Sequence, residues 1–109
     1  MAVAFLFPGQ GSQRAGMLDA LPAHARVKET LDEAREILGQ DPRDLHDEKT
    51  LESTISTQLA IFIAGVASGR ALIAEGAEPD FVAGLSVGAF AAAVIAGALE
   101  FGDGLRLVT

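Results

Sequence analysis

The sequence predicts an α/β fold, a parallel sheet with flanking helices and a nucleophile elbow at the end of one strand. Three observations predict it. Ala2 to Phe7 is a continuous apolar run, the pattern of a strand buried on both faces. A second apolar triplet, Phe81-Val82-Ala83, runs through Gly84-Leu85-Ser86-Val87-Gly88 into an apolar helix from Val87 to Ala96. Between the two strands lie stretches with helical periodicity, and the alternation of strand, helices, strand and helix is the α/β order. Only two strands are found, too few for a stable parallel sheet.

The first strand stops at Pro8, which cannot donate to a ladder, and Pro8-Gly9-Gln10-Gly11-Ser12-Gln13 follows as a loop. Such a loop after a first strand can aim a backbone N–H into a site at the strands' carboxyl ends. It has neither the lysine nor the spacing of a phosphate-binding loop. Ala25 to Leu38 reads as an amphipathic helix, with Val27, Leu31, Ala34 and Leu38 on one stripe and Gly39 as its C-cap. Lys28, Glu29, Asp32, Glu33 and Glu36 form a solvated face, and His24 lies just before it as a flanking residue rather than a catalytic one.

Asp41 to Glu52 is polar, Asp41-Pro42 signals a turn, and His46 among these acids reads as an exposed surface histidine. A Ser/Thr-rich start near Ser53 leads into a helix that is apolar all round from Leu59 to Ala67, as expected of a buried element. Gly65 and Gly69, four apart, suit close packing against the elbow helix, while Arg70 and Glu75 are expected to return to solvent before Gly76. After the elbow helix the chain turns between Gly97 and Gly104. Phe101 to Val108 begins another amphipathic helix with Leu105 and Val108 inward. The sequence stops at Thr109 without a cap or turn signal and is expected to end inside an element.

The elbow spacing has a mechanical cause. A serine on a tight strand-to-helix turn has strained backbone angles, and its neighbours two positions away pass close to other backbone. Gly84 and Gly88, lacking Cβ atoms, permit that approach. Ser86 then stands at the amino end of a helix, where free N–H groups and the helix dipole favour developing negative charge.

Composition excludes several classes. A formal charge of −7 with eight scattered basic residues argues against nucleic acid or an anionic membrane as partner. With no cysteine there is no disulfide, thiolate or cysteine-metal chemistry, and His24 and His46 have no metal-ligand spacing. The apolar runs, Leu59 to Ala67 and Gly88 to Leu99, are shorter than the roughly 20 residues of a membrane span. The start has no basic region and breaks at Pro8, so a soluble cytoplasmic protein is expected.

Two independent motifs, at matching spacing, carry a resemblance over the whole length. The opening Phe5-Leu6-Phe7-Pro8-Gly9-Gln10-Gly11-Ser12-Gln13, then Thr57-Gln58-Leu59-Ala60, Gly84-Leu85-Ser86-Val87-Gly88, and Ala96-Gly97-Ala98-Leu99 with Leu105-Arg106-Leu107-Val108 resemble the malonyl-CoA:acyl-carrier-protein transacylase family. These are the acyltransferases of fatty acid and polyketide synthesis. The run from Ser86 to Val94 is similar, more narrowly, to the acyltransferase subunit of malonate decarboxylase.

The resemblance implies that Ser86 is the acyl-accepting nucleophile, that the N–H groups of Gln10 and Val87 form the oxyanion hole, and that Gln58 and Leu85 line the substrate site. Gly84 and Gly88 are the structural elbow. Malonyl-CoA is then a substrate and no cofactor is permanently bound. The acceptor is the phosphopantetheine thiol of an acyl carrier protein, reached through a seryl ester.

Three departures accompany the match. Leu85 stands where the family usually has a histidine, which alters pocket polarity without removing the general base. The family's catalytic histidine lies far downstream, and neither His24 nor His46 aligns with it. The arginine that binds the malonyl carboxylate should fall just beyond Thr109. Residues 1–109 therefore look like the N-terminal part of the large, α/β-hydrolase-like subdomain. The ferredoxin-like small subdomain and the C-terminal part are absent, and the isolated chain is expected to be inactive. The rival readings are a serine hydrolase of esterase or patatin type using the same elbow, and a non-catalytic fragment that associates with a complementary chain such as the missing C-terminal part.

Overall fold

A computed structural model describes residues 2–47 and 49–108. Thr109, on which the expectation of an unfinished final element rests, lies outside the described residues. The first strand, β1, is Ala4–Phe7, shorter than the apolar run because Ala2 and Val3 precede the paired segment. The first helix, α1, is Ala25–Leu38, followed by 3-10 turns at Pro42–Leu45 and Thr50–Glu52. Then come α2 at Thr54–Ala74, β2 at Phe81–Gly84, α3 at Gly88–Ile95 and α4 at Phe101–Val108.

The strands pair in parallel, with Ala4 opposite Phe81, Phe5 opposite Val82, Leu6 opposite Ala83 and Phe7 opposite Gly84. Residues side by side in this register share a face. Phe5 and Phe7 are buried against the helices, whereas Leu6 is 76% exposed and Phe81 66%. The expectation of a sheet buried on both faces is therefore corrected. The helices that meet the strands, α3 and α2, lie on the Phe5/Phe7 side, and the Leu6/Phe81 side is open among the described residues.

The long helix α2 is the hub, packed by α1, α3 and α4. Its apolar character runs through Leu59, Ala60, Ile61, Phe62, Ile63 and Val66, all buried. At 21 residues it is longer than the apolar run suggested. It is long and apolar enough to cross a membrane by length and composition, but here it forms the core. Phe62 stacks on Phe101 of α4 with ring centroids 5.4 Å apart. Arg70 does not return to solvent. Its guanidinium lies 5.0 Å from the Phe101 ring centroid and donates to Thr30 Oγ1 and Glu33 Oε2 of α1, each at 3.2 Å. One side chain thus ties three helices together.

The inward stripe of α1 is Val27, Thr30, Leu31 and Ala34, and Gly39 at φ 74 ends the helix as expected. On the outer face, Lys28 pairs with Asp32 at 3.0 Å in i,i+4 spacing, worth a few tenths of a kcal/mol (about 0.3–0.5).

Candidate active site

The site forms where both strands end. The N–H of Leu85 donates to the carbonyl of Phe7 at 3.2 Å, extending the ladder one residue beyond β2. The chain then turns sharply. Ser86 has φ 55, the only positive value at a non-glycine residue among those described. Gly88, Ala89 and Phe90 donate backwards to the carbonyls of Leu85, Ser86 and Val87 at 2.9, 2.9 and 3.1 Å and so wind the chain into α3. This helix has no side-chain cap and no acidic residue in its first turn, so its positive end stays open. The N–H of Val87 has no acceptor among the described residues.

The two flanking glycines are required by contact. A Cβ on Gly84 would overlap the backbone of Gly88 and Ala89, and one on Gly88 would overlap the carbonyl of Phe7 and come within 2.7 Å of that of Pro8. The turn therefore closes on itself and on the end of β1. Further along, a Cβ on Gly65 would lie 3.2 Å from Ala91 Cβ, and one on Gly69 would lie 2.7 Å from Ile95 Cδ1, which is the close packing of α2 on α3 expected from those glycines.

The loop after β1 is brought against the elbow. A Cβ on Gly9 would overlap the Leu85 carbonyl and lie 3.3 Å from Ser86 Cβ, so the backbone just before Gln10 packs closely on the elbow. The N–H of Gln10 has no acceptor among the described residues, whereas those of its neighbours Gly11 and Ser12 are taken up, by Gln13 Oε1 at 2.6 Å and by Gly9 O at 3.3 Å. Ser86 and Leu85 are exposed, Leu85 at 75%, and the Ser86 hydroxyl makes no hydrogen bond among the described residues. A cavity of 390 Å³ opens beside Leu85, walled also by Leu6, Phe7, Pro8, Ala83 and Gly84.

Gln58 is half-buried in α2, seven residues before Gly65, which is about 10 Å along the helix axis. Because Gly65 and Gly69 pair with Ala91 and Ile95 in the same order, α2 and α3 run in the same direction. The start of α2, with Gln58, therefore projects toward the strand ends where the elbow sits. No hydrogen bond joins it to Gln10 or Ser86 among the described residues.

Both histidines lie away from this centre. His24 caps α1, its Nδ1 accepting from Arg26 N–H at 3.0 Å, and its Nε2 bonds Glu75 Oε1 at the end of α2, also at 3.0 Å. His46 is not an exposed histidine. It is buried, its Nδ1 accepts from Leu18 N–H at 3.2 Å, its carbonyl accepts from Gly16 N–H at 2.9 Å, and its Nε2 lies 3.6 Å from Asp19 Oδ2. The polar composition around it concealed the fold-back of residues 16–18, which no local pattern signals.

A family model described as the acyl transferase domain matches residues 4–109. The chain belongs to the acyl transferase domain family. This acyl transferase chain is 43% identical over 112 residues to the human protein named malonyl-CoA-acyl carrier protein transacylase, mitochondrial, aligning 94% of itself with 28% of that protein. The acyl-carrier-protein S-malonyltransferase of Burkholderia pseudomallei 1710b superposes with a TM-score of 0.90 at 47% identity, over 99% of this chain and 36% of that one. A chain from the structure of a type II PKS acyl-carrier protein in complex with its malonyl-transacylase gives 0.88 at 39%, over 99% and 37%. The chain thus spans between 28% and 37% of the length of these relatives. One of them is named as mitochondrial, so the family is not tied to the cytoplasm.

Proposed function

We propose that residues 1–109 are the N-terminal part of the large α/β subdomain of a malonyl-CoA:acyl carrier protein transacylase, and that they supply its nucleophile and oxyanion hole. The observation that carries this reading is the elbow, with Ser86 held at φ 55 between glycines in backbone contact and the Gln10 loop packed on it. In this reading Ser86 Oγ attacks the thioester carbonyl of malonyl-CoA while its proton passes to a base. The N–H groups of Gln10 and Val87 receive the oxyanion, each such donor being worth about 3 to 4 kcal/mol of barrier. The C–S bond then breaks, and CoA leaves as a thiolate that takes up the proton. The malonyl group remains as a seryl ester. The phosphopantetheine thiol of the carrier protein gives its proton to the same base and attacks the ester carbonyl. Oγ leaves and is reprotonated.

Gln58 and Leu85 border the substrate in this reading, Gln58 from the start of α2 and Leu85 as an apolar side chain beside the serine. The base comes from outside the described residues, because His24 is engaged with Glu75 and α1, and His46 with Leu18 and Asp19. A serine without its base is a poor nucleophile, so the chain alone is inactive. The malonyl group and the carrier protein are those named for the relatives.

Intact-protein mass spectrometry after incubation with malonyl-CoA tests this, on the chain alone and on the chain supplied with the remaining part of the domain. A malonyl adduct on Ser86 is expected only in the second sample, and Ser86→Ala abolishes it. A folded, completed protein that gains no adduct would overturn the reading.

A further inference from the structure

We propose that Ser12 is a positioning residue that aims the N–H of Gln10, by locking the orientation of the Gly9–Gln10 peptide; this rests on the reading of Gln10 as an oxyanion-hole donor. The C=O of Gly9 and the N–H of Gln10 belong to one planar trans peptide unit, in which they point in opposite directions. Holding one therefore aims the other. The Gly9 carbonyl accepts twice from the same residue, from the Ser12 hydroxyl at 2.8 Å and the Ser12 N–H at 3.3 Å. The far side of the peptide, the Gln10 N–H, has no acceptor among the described residues and faces away from that anchor.

Two further contacts restrict the same unit. Gly9 is wedged against the Leu85 carbonyl and Ser86 Cβ, which fixes where the peptide sits but leaves rotation about its ends free. Gly11, at φ 110, would be free to flip, but its N–H is held by Gln13 Oε1 at 2.6 Å. That bond also removes the nearest competing donor. Gln10 is thus the donor left over from a turn whose other N–H groups at 11 and 12 are satisfied. Ser12 is exposed, so its hydroxyl adds little to the stability of the chain. An aiming role and a structural role are therefore separable.

The test uses the completed acyl transferase carrying Ser12→Ala or Ser12→Thr, with two readouts. Single-turnover malonylation of Ser86 is expected to slow by about tenfold to a hundredfold in Ser12→Ala, a part of the roughly 10²–10³ that a whole donor contributes. KM for malonyl-CoA and the melting temperature stay unchanged, and Ser12→Thr, which keeps the hydroxyl, restores the rate. Backbone 15N relaxation at Gln10 reads the peptide directly, and disorder is expected in Ser12→Ala but not in Ser12→Thr. An ordered, unflipped Gln10 amide in Ser12→Ala, or an unchanged acylation rate in a wild-type enzyme that does acylate, overturns the proposal. Absence of any adduct in the wild type overturns the transacylase reading instead, and the relaxation experiment still decides the role of Ser12.

Discussion

At φ 55 Ser86 occupies a region that costs an L-residue about 1–2 kcal/mol and that glycine enters freely. Ser86→Gly should therefore stabilise the chain by about 1 kcal/mol, while Ser86→Ala should leave it near the wild type, as measured by urea denaturation. A loss of stability in Ser86→Gly would mean the turn stores no strain. The glycines beside it have the opposite property. Gly88→Ala places a Cβ on the carbonyls of Phe7 and Pro8, which are backbone atoms that cannot yield, and a loss above about 2 kcal/mol is expected. The same change also separates the elbow from the end of β1. Buried His46 gives a third residue-scale prediction. His46→Leu leaves the Leu18 N–H without its acceptor, at a cost of about 1–3 kcal/mol, and the fold-back of residues 16–18 should lose hydrogen-exchange protection.

Among the elements, the seam between α2 and α4 is where packing decides most. A Cβ on Gly104 would overlap the Phe62 ring, and that ring is fixed on its other contacts by stacking on Phe101. Gly104→Ala improves helix propensity by about 1 kcal/mol, yet a net destabilisation is expected because the ring has nowhere to move. Stabilisation of the variant in a thermal melt would show that α4 can shift along α2. The elements themselves were legible in the sequence. The stripe of α1, its Gly39 cap, the strand triplet before Gly84 and the Gly65/Gly69 contact with α3 all follow from local periodicity and from glycine's missing Cβ. Arg70 was not legible, because nothing in the order of residues says that Thr30, Glu33 and Phe101 converge on it.

For the whole molecule the consequential feature is the open side of a two-stranded sheet. Leu6 and Phe81 stand on it side chain outward, and Leu85 continues the apolar surface to the site. Exposed apolar surface of this kind drives association, against which the net charge of −7 supplies only general repulsion. Light scattering on the isolated chain is expected to show concentration-dependent association that Leu6→Lys with Phe81→Lys suppresses without loss of helical circular dichroism; association that persists would place the contact elsewhere. The site was partly legible at this scale. Gly-x-Ser-x-Gly after a strand and Gly9/Gln10 after another point to the same sheet end, because parallel strands carry their loops to one side. The closure of Gly9 onto Leu85 and the engagement of both histidines away from Ser86 depend on contacts between residues 28 to 77 positions apart, whereas the hydrogen bonds that leave Gln10 as the unoccupied donor are made within residues 9–13. By itself the sequence determined which residues turn, cap, alternate and strain, since those are properties of short stretches of backbone. Only the tertiary structure decided what closes onto the elbow and which face of the sheet is covered, since both depend on what the rest of the chain brings alongside.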